Sequence, residues 1–451
     1  MGAHHRTYAR ALDPANRGAL VLDPVDPSVD LAAPSAMPAL LLDPEQRFTC
    51  RQCARCCRGW DVALTPGELD AYRKAGVGRF FRASPEQPEG TEAEPWEPVP
   101  GYPHQRLRKR SDGTCGFLSD DNRCRLHQEL GADRKPLTCR LFPFQFHPTG
   151  GPPVVTASFC CPTVVANLGA PVASQTPELR SLAQDWFRAY PEPANDVVLV
   201  GNRLLSAVQM KAVRGVLRGL LERRTSSGEI ELRDNLARIA RWLEDLTRYR
   251  VTRLDDDAFE EYLGVMGRYA VSDTKALLPR PPSRLGRLVF RGFLFTVLAA
   301  AERLRDRSSG FRLGLRLRVL RLLLHTHGLG PPVGEVSLRS TGKSHLDLAD
   351  PALGGLVHHY LRASIETLGT GRRSVVDELA LAVAFLNVAL VLARMKAGAE
   401  GRTEVDLATL SQGLMEAVDL THADPGAALG RRLSTLAGGV ESLYLFAGAR
   451  P

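Results

Sequence analysis

Residues 50–57 read CRQCARCC, and this run of four cysteines dominates the first third of the chain. All nine cysteines of the 451-residue sequence lie between Cys50 and Cys161. A cysteine used only for packing behaves as a small hydrophobe with no preferred position along a chain. The clustering therefore indicates that the sulfurs are needed together, at a metal or iron–sulfur centre.

The spacing within the run suits metal ligation. The thiolate is the form of cysteine that binds a metal, and a bound metal stabilises it. Cys50, Cys53 and Cys56 follow one another with two residues between them. In bacterial ferredoxins this spacing surrounds three corners of a four-iron cluster, and the fourth ligand comes from a distant cysteine. Cys161 is followed by Pro162. A proline also follows the cysteine that closes such ferredoxin runs.

The later cysteines are more widely spaced, apart from one adjacent pair. Zinc sites favour two short-spaced cysteine pairs in a tetrahedral set, so the pattern favours a four-iron, four-sulfur cluster. Zinc, mononuclear iron and a metal-free cysteine-rich core remain alternatives. Adjacent cysteines do not easily bind one tetrahedral ion together, so one of each adjacent pair is expected to serve a second centre or a redox role. The candidate metal-binding and cofactor-binding residues are Cys50, Cys53, Cys56, Cys57, Cys115, Cys124, Cys139, Cys160 and Cys161.

Bulk composition is that of a soluble globular protein, with 44% hydrophobic and 24% charged residues. The formal charge of +8 is spread over the whole chain, so we expect no nucleic-acid partner. The basic run at 106–110 is expected to be an exposed strand or loop. Residues 1–30 contain no apolar signal segment, and the longest apolar run, Leu379–Ala393, is shorter than the roughly 20 residues of a membrane span. We therefore expect a cytoplasmic protein in which that run is a buried helix.

Three regions follow one another along the chain. Residues 1–48 are predicted to be an irregular N-terminal extension rich in Asp-Pro turns, and residues 49–165 to be a cysteine-cluster domain. Within that domain we expect a proline- and glutamate-rich surface loop at 84–103 and short hairpin strands at 115–118 and 123–127. Residues 175–451 show helical periodicity. The predicted fold class is α+β: a loop-rich cysteine domain with short hairpins, followed by a larger helical bundle.

Five segments of the cysteine region resemble, in order, the cysteine-cluster family known as the YkgJ type, described as zinc- or iron-chelating. The matching segments are FTCRQCARCCR (48–58), VALTPGE (62–68), GTCGFL (113–118), CRLH (124–127) and PLTCRLFPF (136–144). The resemblance covers about a quarter of the chain and implies that its cysteines chelate the metal. Lys135 stands where the family usually has arginine, a mild departure.

The overall layout is similar to that of flagellin lysine N-methylases, which carry a helical extension after such a domain. This resemblance implies a protein-modifying enzyme, either a protein-lysine N-methyltransferase or an iron–sulfur redox enzyme, whose helical region recognises a protein substrate or partner. The alternative is a non-enzymatic interaction module held together by zinc. No catalytic residue can be assigned. Arg140 is expected to pack over the cluster and position Cys139, or else to lower the pKa of a thiolate or bind an anionic substrate. His127 and His147 are weaker ligand candidates.

Overall fold

The computed structural model describes residues 39–59, 61–84, 94–98, 105–149, 151–189, 196–224, 228, 230–248, 251–270, 344–371 and 373–421. The chain divides into two compact units. We call Gly18–Ala194 the cysteine unit, and Asn195–Pro451 with Met1–Arg17 the helical unit. Most of the extension predicted at 1–48 and of the loop predicted at 84–103 lies outside the described residues.

The described part of the cysteine unit contains eight short strands in three small sheets. They are β1 (Leu41–Leu42), β2 (Arg47–Phe48), β3 (Ala63–Leu64), β4 (Trp96–Pro98), β5 (Gln105–Leu107), β6 (Phe144–His147), β7 (Val154–Ala157) and β8 (Ala170–Pro171). One sheet has the order β3-β5-β4 and is antiparallel. In the second, β7 pairs antiparallel with β6 and parallel with β1, and the third pairs β2 with β8. Strands this short bury little surface by themselves, so the unit depends on packing between its elements.

The described part of this unit also contains six helices. They are α1 (Cys56–Gly59), α2 (Pro66–Ala75), α3 (Arg125–Leu130), α4 (Leu137–Leu141), α5 (Pro162–Val165) and α6 (Thr176–Ala189). Helix α2 begins with a capping box: Thr65 Oγ1 accepts the Glu68 N–H, and the Glu68 carboxylate accepts the Thr65 N–H. It ends at Gly76, whose φ of 58° suits glycine. Helix α6 belongs to this unit, although the sequence placed it in the helical region.

An apolar cluster forms the centre of the cysteine unit. Phe81, Phe117 and Leu126 are each almost fully buried, and the rings of Phe81 and Phe117 meet edge to face with centroids 5.6 Å apart. Gly116 lets Phe81 approach the backbone, because a Cβ at this position would lie 2.0 Å from the ring. This core lies beside several of the cysteines, as described below.

Four local predictions for the cysteine region were wrong. The segment predicted as a strand at 115–118 forms only single bridges, from Cys115 to Lys109 and from Leu118 to Cys124. The segment predicted as a strand at 123–127 leads into α3. Trp96–Pro98, inside the predicted loop, is strand β4, because Trp96 is buried in the apolar cluster. The basic run at 106–110 is not simply exposed: Arg110 is buried and its guanidinium donates to the Leu118 carbonyl.

The described part of the helical unit has one small hairpin and six helices. They are β9 (Val197–Val198), β10 (Leu204–Leu205), α7 (Ala207–Leu221), α8 (Leu232–Arg248), α9 (Asp256–Ala270), α10 (Pro351–Glu366), α11 (Val375–Ala399) and α12 (Leu407–Thr421). Helix α7 packs against α8, α9 and α10, and α11 packs against α10 and α12. Short strands and loops followed by a helical region confirm the predicted α+β class.

Helix α11 is the apolar centre of this unit. It has 25 residues, and among the described helices it is the one long and apolar enough to cross a membrane. However, 67% of its apolar window is buried inside the protein. At Gly413 of α12, a Cβ would lie 2.5 Å from the carbonyl oxygen of Ala389 in α11, so the two helices approach closely there. The burial of Leu379–Ala393 confirms the predicted buried helix.

Candidate metal centre

Most of the cysteines surround one cavity in the cysteine unit, which has a volume of about 420 Å³. Seven line it: Cys50, Cys53, Cys56, Cys57, Cys124, Cys139 and Cys161. The other two, Cys115 and Cys160, are buried and do not belong to its lining. None of the nine is in a disulfide. Residues as distant in sequence as 50 and 161 thus meet at one place.

The run at 50–57 follows strand β2 in an unusual backbone conformation. Gln52 and Ala54, on either side of Cys53, have φ values of 54° and 58°. Such left-handed conformations cost on the order of 1–3 kcal/mol for residues other than glycine and persist where the surrounding structure requires them. The Cys57 N–H then donates to the Ala54 carbonyl at 3.0 Å as α1 begins. Turns of alternating backbone handedness form the concave sites of many iron–sulfur proteins.

Backbone hydrogen bonds hold Cys115 and Cys124 near this run. The Cys115 N–H donates to the carbonyl oxygen of Cys57 at 2.8 Å. A tight turn then reverses the chain, with the Ser119 N–H donating to the Arg123 carbonyl at 2.8 Å. Cys124 bridges back to Leu118 and immediately precedes α3. The hydrogen bond of Cys115 therefore connects two cysteine segments that are far apart in sequence.

Cys139 is positioned by the carboxylate of Glu68. Cys139 lies in α4, whose first residue, Leu137, donates its N–H to Glu68 Oε1 at 2.6 Å. The other carboxylate oxygen caps α2 through Thr65. Glu68 was part of a matching motif, but its role was missed, because a sequence does not show which distant N–H group a capping carboxylate also accepts. Arg140, beside Cys139, pairs with Asp185 at 3.1 Å.

Cys161 reaches the cavity shortly after the β6–β7 hairpin, and Cys160 beside it is buried outside the cavity lining. The Cys161 N–H donates to Ser158 O at 3.1 Å, and Cys161 precedes α5. The side chain of Arg55, in the first cysteine run, donates to the carbonyl oxygen of Cys160 at 3.0 Å. This contact joins the two ends of the cysteine region.

The local electrostatics divide the thiols into one that ionises readily and several that resist ionisation. A hydrogen bond from Cys57 lowers the pKa of Cys56 to about 6, against the effect of burial and with help from the charge of Lys135. The same hydrogen bond, together with burial, raises the pKa of Cys57. Burial is the main cause that raises the pKa of Cys115, Cys139 and Cys161. Burial therefore disfavours the thiolate form of Cys57, Cys115, Cys139 and Cys161, and a bound cation would favour it.

The histidine candidates differ in position. His127 lines the cavity, whereas His147 lies in β6, outside the cavity lining, with Nε2 2.9 Å from Thr156 Oγ1. Within the described ranges, no three histidine, cysteine, aspartate or glutamate side chains form a group that could hold one metal ion as they stand. The thiols thus share a cavity without forming a completed coordination shell.

Residues 49–162 match the CxxCxxCC family, described as "Putative zinc- or iron-chelating domain". This segment is thus similar to the CxxCxxCC domain. The match confirms the predicted resemblance to the YkgJ type, and it contains all nine cysteines. It covers about a quarter of the chain, and the family description supports chelation of zinc or iron. Searches of curated proteins and of solved structures found no match.

Proposed function

We propose that the CxxCxxCC domain binds a polynuclear iron–sulfur centre, with the nine cysteines as its pool of ligands. The observation that carries this proposal is the meeting of seven cysteines at one cavity of about 420 Å³. A single zinc ion takes four ligands in a tetrahedron. Seven thiols exceed the four ligands of one zinc ion, and a four-iron cluster also takes four cysteines. The two-residue spacing of Cys50, Cys53 and Cys56 matches the runs that surround three corners of such a cluster, and it therefore favours iron–sulfur over zinc.

The cavity lining also suits an anionic centre. Alongside the thiols it includes the cationic residues Arg51, Arg55, Arg123 and Lys135. Thiolates bound to an iron–sulfur core carry excess negative charge, which nearby cations stabilise. When bound, such a cluster would supply one-electron transfer. The protein residues would hold the cluster, balance its charge and limit its contact with solvent.

Metal analysis of the full chain purified without oxygen tests this proposal. We expect several irons and a similar amount of inorganic sulfide per chain, with broad visible absorbance. A Cys139→Ser variant should lose most of this absorbance, whereas the matched Thr138→Ser variant, one residue away in α4, should keep it. A colourless wild-type protein with stoichiometric zinc would instead establish the zinc-stapled interaction module.

Protein modification at the cluster, with the helical unit recognising the protein substrate, stays a prediction from the resemblance to flagellin lysine N-methylases. A protein substrate or partner and a cytoplasmic location belong to the same proposal, and thiols outside disulfides suit a reducing compartment. Mass spectrometry of surface-protein lysines, compared between cells with and without the chain, measures the activity directly. Identical lysine methylation in both strains would contradict it.

A further inference from the structure

The lining of the thiol cavity is rich in positive charge. Among the described residues that line it are three arginines and one lysine, and none is an aspartate or a glutamate. The cations come from separate segments: Arg51 and Arg55 from the first cysteine run, Arg123 from the turn before α3, and Lys135 from the segment before α4. The fold therefore gathers at one cavity four cationic side chains that are spread along the sequence, and we call them the cationic rim.

Part of this charge faces the solvent. Arg51 and Arg123 are exposed, whereas Arg55 and Lys135 are half-buried. Water screens exposed charges, so the first two contribute less to a buried centre than the half-buried pair does. Their field extends outwards instead, where it acts on molecules that approach the cavity.

Carboxylates in the described part of the chain neutralise only some of the rim. Arg123 pairs with Asp121. Neither Arg51 nor Lys135 forms a salt bridge with a described carboxylate. A surface cation without such a partner attracts an anionic molecule more strongly than a neutralised one, so the rim presents net positive charge to its surroundings.

The same cavity brings two of the candidate ligands to the surface. Cys50 and Cys53 are exposed, and Arg51 lies between them in the sequence. By contrast, Cys115 and Cys160 are buried. A redox centre exchanges electrons most readily where it is closest to the solvent, and here that place is beside the exposed cation.

We propose that the cationic rim is the docking surface for a small acidic protein that carries single electrons. This inference rests on the proposed iron–sulfur function and names its partner class. The reduced carrier gives one electron to the bound centre and becomes oxidised, and no bond forms or breaks. Electron-carrier encounters bury little surface, and opposite charges guide them. Four cations from three segments suit a partner with several carboxylates better than one small anion.

Binding to the full chain, purified without oxygen, tests the docking surface. The probe is a plant-type ferredoxin, which is acidic, and the counter-probe is a cytochrome c, which is basic. The Kd for ferredoxin should rise about tenfold or more between about 50 mM and about 500 mM salt, and the cytochrome should bind far more weakly. Equal affinity for both probes would overturn the proposal. Displacement of ferredoxin by inorganic phosphate at constant ionic strength would show a small-anion site and overturn it as well.

Charge reversal at one exposed arginine locates the surface. Arg51→Glu should raise the Kd for ferredoxin about three- to tenfold at low salt. The control is Arg180→Glu in α6, an exposed arginine of the same unit that does not line the cavity. It should change the Kd by less than about twofold. Metal content is measured on the same samples so that affinities are compared at equal loading, and equal weakening by both variants would overturn the assignment to the rim.

Electron transfer separates this proposal from the iron–sulfur proposal. Reduced ferredoxin should bleach the visible absorbance of the iron-loaded wild type, and Arg51→Glu should slow the bleaching at low salt more than at high salt. Ferredoxin that binds without bleaching would overturn the carrier role. A chain with zinc and no iron contradicts both proposals, whereas a chain that holds iron but binds no ferredoxin contradicts the docking surface alone.

Discussion

The backbone N–H of Cys115 donates a hydrogen bond to the carbonyl oxygen of Cys57 across 2.8 Å. The bond uses main-chain atoms, so it leaves both sulfurs available for a metal. Phe117, two residues further on, lies in the apolar core of the same unit. Protein contacts, and not a metal alone, therefore bring these cysteine segments together.

Removal of the metal should leave most of the helical structure intact. Small metal-binding domains often unfold without their ion, but the cysteine unit also has the apolar core around Phe81 and Phe117. The long described helices α7 to α12 lie in the other unit and contain none of the cysteines. Circular dichroism before and after chelation measures the change, and loss of most of the helical signal would contradict the expectation.

Replacement of Glu68 by alanine should weaken metal binding without removing a ligand. The variant loses the acceptor of the Leu137 N–H at the start of α4 and the cap at Thr65. Loss of such hydrogen bonds costs about 1–3 kcal/mol and frees the helix that carries Cys139. Chemical denaturation and metal content of the purified chain give the two measurements.

Asp70 supplies the matched control for Glu68. It is a carboxylate on the same helix, but it is exposed and paired with Arg73 at 3.6 Å. Asp70→Ala should change stability by less than about 0.5 kcal/mol and leave the metal content unchanged. If both variants behave alike, Glu68 has no positioning role.

Alanine at Gly116 should destabilise the cysteine unit. The new Cβ would lie 2.0 Å from the ring of Phe81, which is almost fully buried and has little room to move. Overpacking of this kind costs about 1–3 kcal/mol. Gly67 in α2 has no heavy atom within 4 Å of a built Cβ, so Gly67→Ala should be neutral or stabilise by up to about 1 kcal/mol. Thermal unfolding of both variants measures the contrast, and equal midpoints would contradict it.

The fold class and the candidate cysteines could be predicted because both depend on local sequence patterns. Two-residue spacing between cysteines and helical periodicity each depend on neighbouring residues. It could not be predicted which thiols pack against the apolar core, because that depends on tertiary contacts. Cys57 packs against it, whereas its neighbour Cys56 is not part of that cluster.

The wrong local predictions also result from tertiary contacts that the sequence does not show. Arg123–His127 alternates in a way that suits a strand, but tertiary contacts continue it as α3. Arg110 belongs to a charged run, yet its guanidinium finds the Leu118 carbonyl inside the protein. A charge pattern predicts exposure only when no buried acceptor is within reach, and the sequence does not show that acceptor.

The carboxylate of Glu378 in α11 holds the glycine turn that precedes this helix. Its Oε2 accepts the Gly369 N–H at 2.6 Å, and burial raises its pKa to about 7, although Gly369, Gly371, Arg373 and Arg214 oppose the shift. Between its ordinary value of 4.5 and about 7, the folded chain keeps a proton that the unfolded chain has released. Stability should therefore fall as pH rises through this window, by up to about 3 kcal/mol. Glu378→Gln does not titrate. The free energy of unfolding of the variant minus that of the wild type should therefore increase from pH 5 to pH 7.5. Denaturant unfolding at both pH values measures this difference, and a difference that does not change with pH would show that Glu378 is ionised throughout.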